Sequence, residues 1–120
     1  MATRSRIAVE LEDGTVKSVY CHNDGYLDGV GRDLMHRFPN GTDSARVESF
    51  VNEGDRSTCD LSYKEWRNEN CPADNVRSAN DFFSGDIEEY GYLYNAKREW
   101  VVKAAYGNKG INNLIDLIEL

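Results

Sequence analysis

The 120-residue sequence predicts an α+β fold in a single domain spanning residues 1–120. Two stretches with the alternating pattern of β-hairpins lie near the two ends of the chain, and stretches with helical spacing follow each of them. Elements that occur in such runs, rather than in strict βαβ alternation, are typical of α+β domains. We therefore expect the two β-hairpins to form an antiparallel sheet of about four strands, with helices packed on one face.

The first hairpin is the clearest element of the sequence. Apolar side chains alternate with polar or small ones over 7–11 and again over 16–20. An Asp-Gly dipeptide lies between them at 13–14 and favours the two-residue type I′ turn, because glycine accepts a positive φ. That turn predicts a register in which Leu11 lies opposite Val16.

Two helices are expected after this hairpin. Apolar residues recur at every fourth position from Val30 to Phe38, which predicts a helix over 28–38 with Asp28 as its N-cap. A second, shorter helix is predicted over 44–53, where apolar residues again fall on one helical face. Both helices would pack their apolar faces on the sheet.

The middle of the chain carries the weakest pattern. Ser62 to Glu65 has the form of a capping box, so a short helix through Trp66 is expected. Residues 68–80 are polar and rich in Asn, Asp and Ser, which predicts a surface loop.

The last third of the chain contains the second hairpin and a final helix. Aromatic and β-branched residues over 89–94 and 99–104 flank a polar turn. The three tyrosines over 89–94 alternate, so their side chains should point to one face of the sheet. The C-terminal residues at helical spacing are Ile111, Leu114, Ile115 and Ile118.

The charge of the chain bounds the classes of partner that it can bind. It has 14 Lys and Arg residues against 21 Asp and Glu residues, for a formal net charge of −7. With no basic patch, direct binding of nucleic acid through counterion release is not expected. An acidic surface instead favours partners with a basic surface.

Neither export nor membrane insertion is expected from the sequence. No apolar run approaches the roughly 20 residues that a membrane-spanning helix needs, and the start MATRSRIAVE lacks the apolar core of a signal peptide. Cys21, Cys59 and Cys71 have no paired spacing, which favours reduced thiols. These features predict a protein of the cytoplasm.

The stretch VYCHNDGY, residues 19–26, places a thiol, an imidazole and a carboxylate within four positions. A Cys–His catalytic pair is disfavoured, because Cys21 and His22 would point to opposite faces of an extended strand. Zinc and calcium sites use ligand spacings that the sequence lacks, so neither a metal ion nor a cofactor is expected. The alternatives left open are a strand that ends in a polar turn and a small-molecule site. The residues of that small-molecule site, which would bind or hydrolyse a nucleotide signal, are Tyr20, Cys21, His22, Asp24 and Tyr26.

Several segments together resemble a family of small tailed-bacteriophage proteins whose corresponding motif reads Y-C-H-W-D-G-Y. The segments that carry the resemblance are RSRIAVE (4–10), DGTV (13–16), VYCHNDGY (19–26) and GVG (29–31), with looser likeness in NEGD (52–55), EYGYLY (89–94) and WVV (100–102). Asn23 stands where the family has tryptophan. The resemblance implies a phage gene product in the cytoplasm of an infected bacterium, one of the non-structural proteins that redirect or disarm the host.

Charge, size and this resemblance together predict a phage accessory protein that acts by binding. Its acidic surface would partly imitate nucleic acid and would inhibit or modulate a host protein with a basic surface, such as a defence nuclease, a CRISPR effector or another nucleic-acid-handling enzyme. The sequence leaves the oligomeric state open. The residues expected to contact the partner are Tyr26, Asp28, Asp33, Asp43, Glu48, Glu53, Asp55 and Trp66.

Overall fold

The protein is built around one mixed β-sheet. The computed structural model describes residues 3–55, 72–85, 87–105 and 110–118, and within them six strands form the sheet in the order β3-β2-β1-β4-β5-β6. All neighbouring strands are antiparallel except β1 and β4, which are parallel. The strands are β1 (Ser5–Glu10), β2 (Val16–Cys21), β3 (Asp74–Val76), β4 (Tyr90–Tyr94), β5 (Trp100–Ala104) and β6 (Ile111–Asn113).

The helical elements lie between and after these strands. They are a π-helical turn (Leu27–Gly31), α1 (Arg32–Arg37), α2 (Ser44–Val51), α3 (Ala79–Ser84) and a 3₁₀ turn (Leu114–Asp116). The predicted α+β class is confirmed, with more strands than the four expected. The parallel pair is possible because β3 runs in the direction of β1, and the segment with α3 then returns the chain to the edge of the sheet at which both β1 and β4 begin. Within the described residues, no helix is both long enough and apolar enough to cross a membrane.

Helices cover both faces of the sheet, so the expectation of helices on one face is wrong. On one face, α1 and α2 pack on Ile7, Val9 and the other members of the larger core. On the opposite face, Phe82 and Phe83 of α3 pack on Ala8 and the other members of a smaller core. The central strands β1 and β4 carry apolar residues on both sides, as strands do when they are buried between two layers.

The first hairpin forms as predicted, but in a register shifted by one residue. Glu10, not Leu11, lies opposite Val16. The Gly14 amide donates to the Leu11 carbonyl (2.9 Å), the Leu11 amide donates to the Thr15 carbonyl (2.8 Å), and Gly14 has φ 85°. This is a type I turn followed by a left-handed glycine, which needs one more loop residue than the predicted type I′ turn.

The second hairpin uses the same turn with Arg98 in the position of the glycine. The Arg98 amide donates to the Asn95 carbonyl (2.9 Å), and the Asn95 amide donates to the Glu99 carbonyl (3.0 Å). Arg98 has φ 61°, a left-handed conformation that costs a residue with a Cβ more than it costs glycine. The Asn95 side chain accepts bonds from the amides of Lys97 (3.0 Å) and Glu99 (3.1 Å) and so holds the turn closed.

Two of the predicted helices differ from the structure. The helix expected over 28–38 is a π-helical turn followed by α1, and Tyr26 rather than Asp28 holds its N-cap position. The helix expected from Ile111 to Ile118 is instead β6 and one 3₁₀ turn. Pairing of 111–113 with β5 takes precedence over the helical spacing of the isoleucines.

The predicted surface loop over 68–80 is wrong for part of its length. Residues 74–76 form the edge strand β3, which pairs with Val16–Ser18 of β2. The hydroxyl of Ser78 then accepts a bond from the Asp81 amide (3.1 Å) and caps α3. Residues 68–71, and the short helix expected through Trp66, lie outside the described residues.

Replacing Arg98 by glycine should stabilise the protein. Glycine removes a left-handed conformation whose cost for other residues is about 1 kcal/mol or more. We expect the free energy of unfolding in urea to rise by roughly 0.5–1 kcal/mol. Gly14→Ala is the matched control at the same position of the other turn, and its free energy of unfolding should fall by about 1 kcal/mol. An Arg98→Gly variant no more stable than the original chain would contradict this reading of the turn.

Candidate functional site

The acidic residues predicted to contact a partner are distributed over three places in the structure. Asp43 and Glu48 lie together at the beginning and middle of α2, beside the two hairpin turns. Asp28 and Asp33 lie on the π-helical turn and on α1. The remaining two acids, Glu53 and Asp55, follow the end of α2. The predicted residues therefore do not form one patch.

A cavity of about 580 Å³, which we call the acidic cleft, lies between the two hairpin turns and the start of α2. Five acidic residues and one basic residue, Arg98, line it, and Lys17 outside the lining pairs with one of the five acids, Glu48. The acidic residues of the cleft are Glu10, Glu12, Asp13, Asp43 and Glu48. The acidic cleft is therefore strongly biased towards negative charge.

Four of these carboxylates are held in place by bonds to the fold. Glu10 accepts from the Ala96 amide (2.9 Å), which ties one hairpin to the turn of the other. Asp43 accepts from the Ala45 amide (3.0 Å) and caps α2, and Glu48 pairs with Lys17 of β2 (3.4 Å). The carboxylates therefore keep their positions before any ligand arrives.

The fourth fixed carboxylate belongs to Asp13 in the first hairpin turn. It accepts from the Thr15 hydroxyl (2.6 Å) and from the Thr15 amide (3.0 Å), and these two bonds hold the pKa of Asp13 below its ordinary value. Asp13 therefore stays charged in mildly acidic solution. Glu12, beside it, is exposed at the tip of the turn.

The carboxylate oxygens of the cleft are suited to bind an organic cation. In the described part of the chain, no group of three or more His, Cys, Asp or Glu side chains is arranged to hold a metal ion. Carboxylates held apart on three elements can instead accept hydrogen bonds from a guanidinium or an ammonium group. Glu10, Glu12 and Asp13 were missed as site residues, because in the sequence they are only ordinary polar positions of a hairpin.

The VYCHNDGY stretch divides its reactive groups between the two faces of the sheet. The side chain of Cys21 is buried in the larger core, on the face covered by α1 and α2. Tyr20 and His22 lie on the opposite face, where the Tyr20 hydroxyl is 2.7 Å from His22 Nδ1. The side chains of Cys21 and His22 therefore lie on opposite faces of the sheet, and a nucleotide site at these residues stays a prediction.

Beyond Cys21 the stretch forms the turn that leads into the π-helical segment. Asp24 has φ 60°, and its carbonyl accepts from the Val30 amide (2.7 Å). A Cβ at Gly29 would overlap that carbonyl oxygen, so the close approach requires glycine. The next carbonyl, that of Gly25, accepts from the buried hydroxyl of Tyr92 (2.7 Å). Most of the polar groups in this stretch thus bind the chain to itself.

The tyrosine row of β4 points to one face, as its alternation indicates. Tyr92 and Tyr94 are fully buried in the larger core, and Tyr90 packs against it. Their rings lie beneath the helices and do not offer a surface on which bases could stack. Tyr26, in contrast, is 44% exposed, immediately before the π-helical turn.

Asp55 accepts a hydrogen bond from a part of β2 that does not pair with β3. Its Oδ1 accepts from the Tyr20 amide (2.9 Å), which lies past the β3 pairing that ends at Ser18. Burial, and then the nearby carboxylate of Glu88, raise the pKa of the Tyr20 phenol. A phenol with a raised pKa is not an activated nucleophile. Trp66, the remaining predicted contact, lies outside the described residues.

Protein-family models, curated proteins and solved structures contain no match to this chain.

Removing the carboxylate of Asp55 should destabilise the sheet edge. Asp55→Ala leaves the Tyr20 amide without this acceptor, so we expect the free energy of unfolding in urea to fall by about 1–2 kcal/mol. Asp55→Asn keeps an acceptor oxygen and should recover most of that loss. Equal losses for the two variants would show that the bond to the Tyr20 amide is not what makes Asp55 stabilising.

Stability should fall in alkaline solution, in part through Tyr94. Burial raises the pKa of its phenol, and its hydroxyl donates to the Thr42 carbonyl (2.6 Å). The protonated Tyr94 phenol therefore contributes fully to the free energy of unfolding below its unfolded pKa of about 10. This contribution is lost as pH rises through the higher pKa of the folded state. Tyr94→Phe should be less stable at neutral pH, but its free energy of unfolding should decline less between pH of about 8 and about 11. Parallel pH curves for the two proteins would contradict this assignment.

Proposed function

We propose that this protein binds a basic segment of a partner protein in its acidic cleft. The observation that carries the proposal is the cavity of about 580 Å³ with five carboxylates on its lining. Carboxylates at this density favour occupation by arginine or lysine side chains, whose donors the carboxylate oxygens accept.

The arrangement favours fast and salt-dependent association. The chain carries a net charge of −7, and the cleft concentrates part of that charge in one concave place. A field of this kind raises the encounter rate with a cationic partner and weakens as salt screens it. Because bonds to Ala96, Thr15 and Ala45 already position the carboxylates, little side-chain order has to be created on binding.

The resemblance to tailed-phage proteins gives the reason to place this binding in an infected bacterium. The partner would then be a host protein in the cytoplasm with a cationic groove, such as a defence nuclease, a CRISPR effector or another nucleic-acid-handling enzyme. An acidic protein seated in that groove would occupy the path of the nucleic acid and so inhibit or modulate the enzyme.

A charge reversal at Glu12 tests the proposal with little structural cost. The side chain is exposed at the tip of the first hairpin turn, so Glu12→Lys should fold normally and repel a cationic ligand from the cleft. Asp74→Lys is the matched control: it changes the net charge by the same amount, but at a side chain of the edge strand β3 that is 71% exposed and outside the lining of the cleft.

Tagged wild-type, Glu12→Lys and Asp74→Lys proteins should be compared in quantitative pull-downs from bacterial lysate at low and moderate salt. We expect a stoichiometric protein that the wild type and Asp74→Lys recover, and whose recovery falls about tenfold or more for Glu12→Lys, equivalent to about 1.4 kcal/mol. A partner retained equally by all three proteins, or no partner at all, would count against the acidic cleft.

A further inference from the structure

A second, apolar cavity lies close to the acidic cleft. It has a volume of about 430 Å³ and lies between the end of α1 and the 3₁₀ turn. Ile115 on the 3₁₀ turn is 45% exposed and borders this cavity. We call this cavity the apolar groove; the residues that line it are Met35, His36, Pro39, Asn40 and Ile115.

The groove and the cleft share one wall. Residues 39–43 form it, because Pro39 and Asn40 line the groove and Asp43 lines the cleft. The two ends of this wall, Pro39 and Asp43, are four positions apart in the chain, so the wall is at most about 14 Å long even if fully extended. A single short peptide can therefore reach both cavities.

The shared wall is held rigidly to the sheet. The Thr42 carbonyl accepts from the Tyr94 hydroxyl (2.6 Å), and the Asn40 side chain accepts from the Trp100 amide (3.0 Å). The Gly41 amide donates to the Arg98 carbonyl (2.8 Å) in the second hairpin turn. The two cavities are thus fixed relative to each other by strands β4 and β5.

We propose that the apolar groove receives an apolar side chain of the same basic segment that enters the acidic cleft. This inference rests on the proposed function and specifies its partner: a short stretch with arginine or lysine, and a leucine-sized residue within about four extended positions of it. Charge complementarity brings the segment to the cleft, and the shared wall then places its apolar residue beside Ile115. An interface of this kind gains specificity from an apolar anchor that charge alone does not supply.

Synthetic peptides test the inference directly on the intact chain. Each probe carries two arginines and one leucine, separated by glycine–serine spacers that range from none to about four residues. A matched set has serine in place of the leucine. Dissociation constants are measured by fluorescence anisotropy at low and at elevated salt.

At one or more spacings we expect the leucine peptide to bind about tenfold more tightly than its serine match, because part of a leucine side chain becomes buried. Elevated salt should weaken both peptides and leave their ratio nearly unchanged, since apolar burial is not screened. Ile115→Ser should abolish the difference in dissociation constant between the leucine and serine peptides. Ile111→Ser, at an isoleucine that is 51% exposed and outside the groove, should retain it.

The outcomes separate the inference from the proposed function. If the arginine peptides bind, and Glu12→Lys weakens them, but leucine brings no advantage at any spacing, the groove inference fails and the acidic cleft stands. If no peptide binds at concentrations up to about 1 mM, both fail. If sedimentation shows that the chain associates with itself, and Ile115→Ser abolishes this, a second copy occupies the groove and the inference is overturned.

Discussion

The fold depends on buried aromatic side chains whose polar atoms hold irregular backbone in place. Three such donors rise from the neighbouring strands β4 and β5: the Tyr92 hydroxyl binds the Gly25 carbonyl, the Tyr94 hydroxyl binds the Thr42 carbonyl and the Trp100 indole binds the Phe38 carbonyl. Each ring is fully buried, so its apolar area stabilises the core while its polar tip satisfies a backbone oxygen that would otherwise lie unpaired. This arrangement lets the connections around α1 and α2 remain irregular and still occupy fixed positions.

The acidic cleft is a consequence of that constraint. The connection from α1 to α2 is held against β4 and β5, and this brings the start of α2 beside both hairpin turns. Several cleft carboxylates also serve the fold, as Asp43 does when it caps α2 and Asp13 when it closes its turn. Concentrating like charges costs stability through repulsion. Bonds to backbone amides offset part of that cost, because amide dipoles stabilise carboxylates in their charged form.

The VYCHNDGY stretch owes the arrangement of its side chains to the strand and the turn that it forms. Strand geometry sends Cys21 into the core and His22 to the other face, so neighbours in sequence are separated by the sheet itself. The following turn uses its backbone carbonyls at Asp24 and Gly25 as structural acceptors. The chain turns sharply from strand to helix here, and only a glycine at position 29 fits against the Asp24 carbonyl.

Local patterns in the sequence determined the hairpins, the helix that begins after Asp43 and the inward row of tyrosines, because alternation, capping and turn chemistry act over a few residues. They also determined the excess of negative charge. They did not determine the register of the first hairpin, the strand at Ile111 or the parallel pairing of β1 with β4. Those features depend on which residues meet across the sheet, where burial and hydrogen bonding outweigh local spacing. The acidic cleft is likewise a product of tertiary structure, since no local pattern relates a hairpin turn to a helix about thirty residues away. It brings the hairpin residues Glu10, Glu12 and Asp13 close to Asp43 and Glu48.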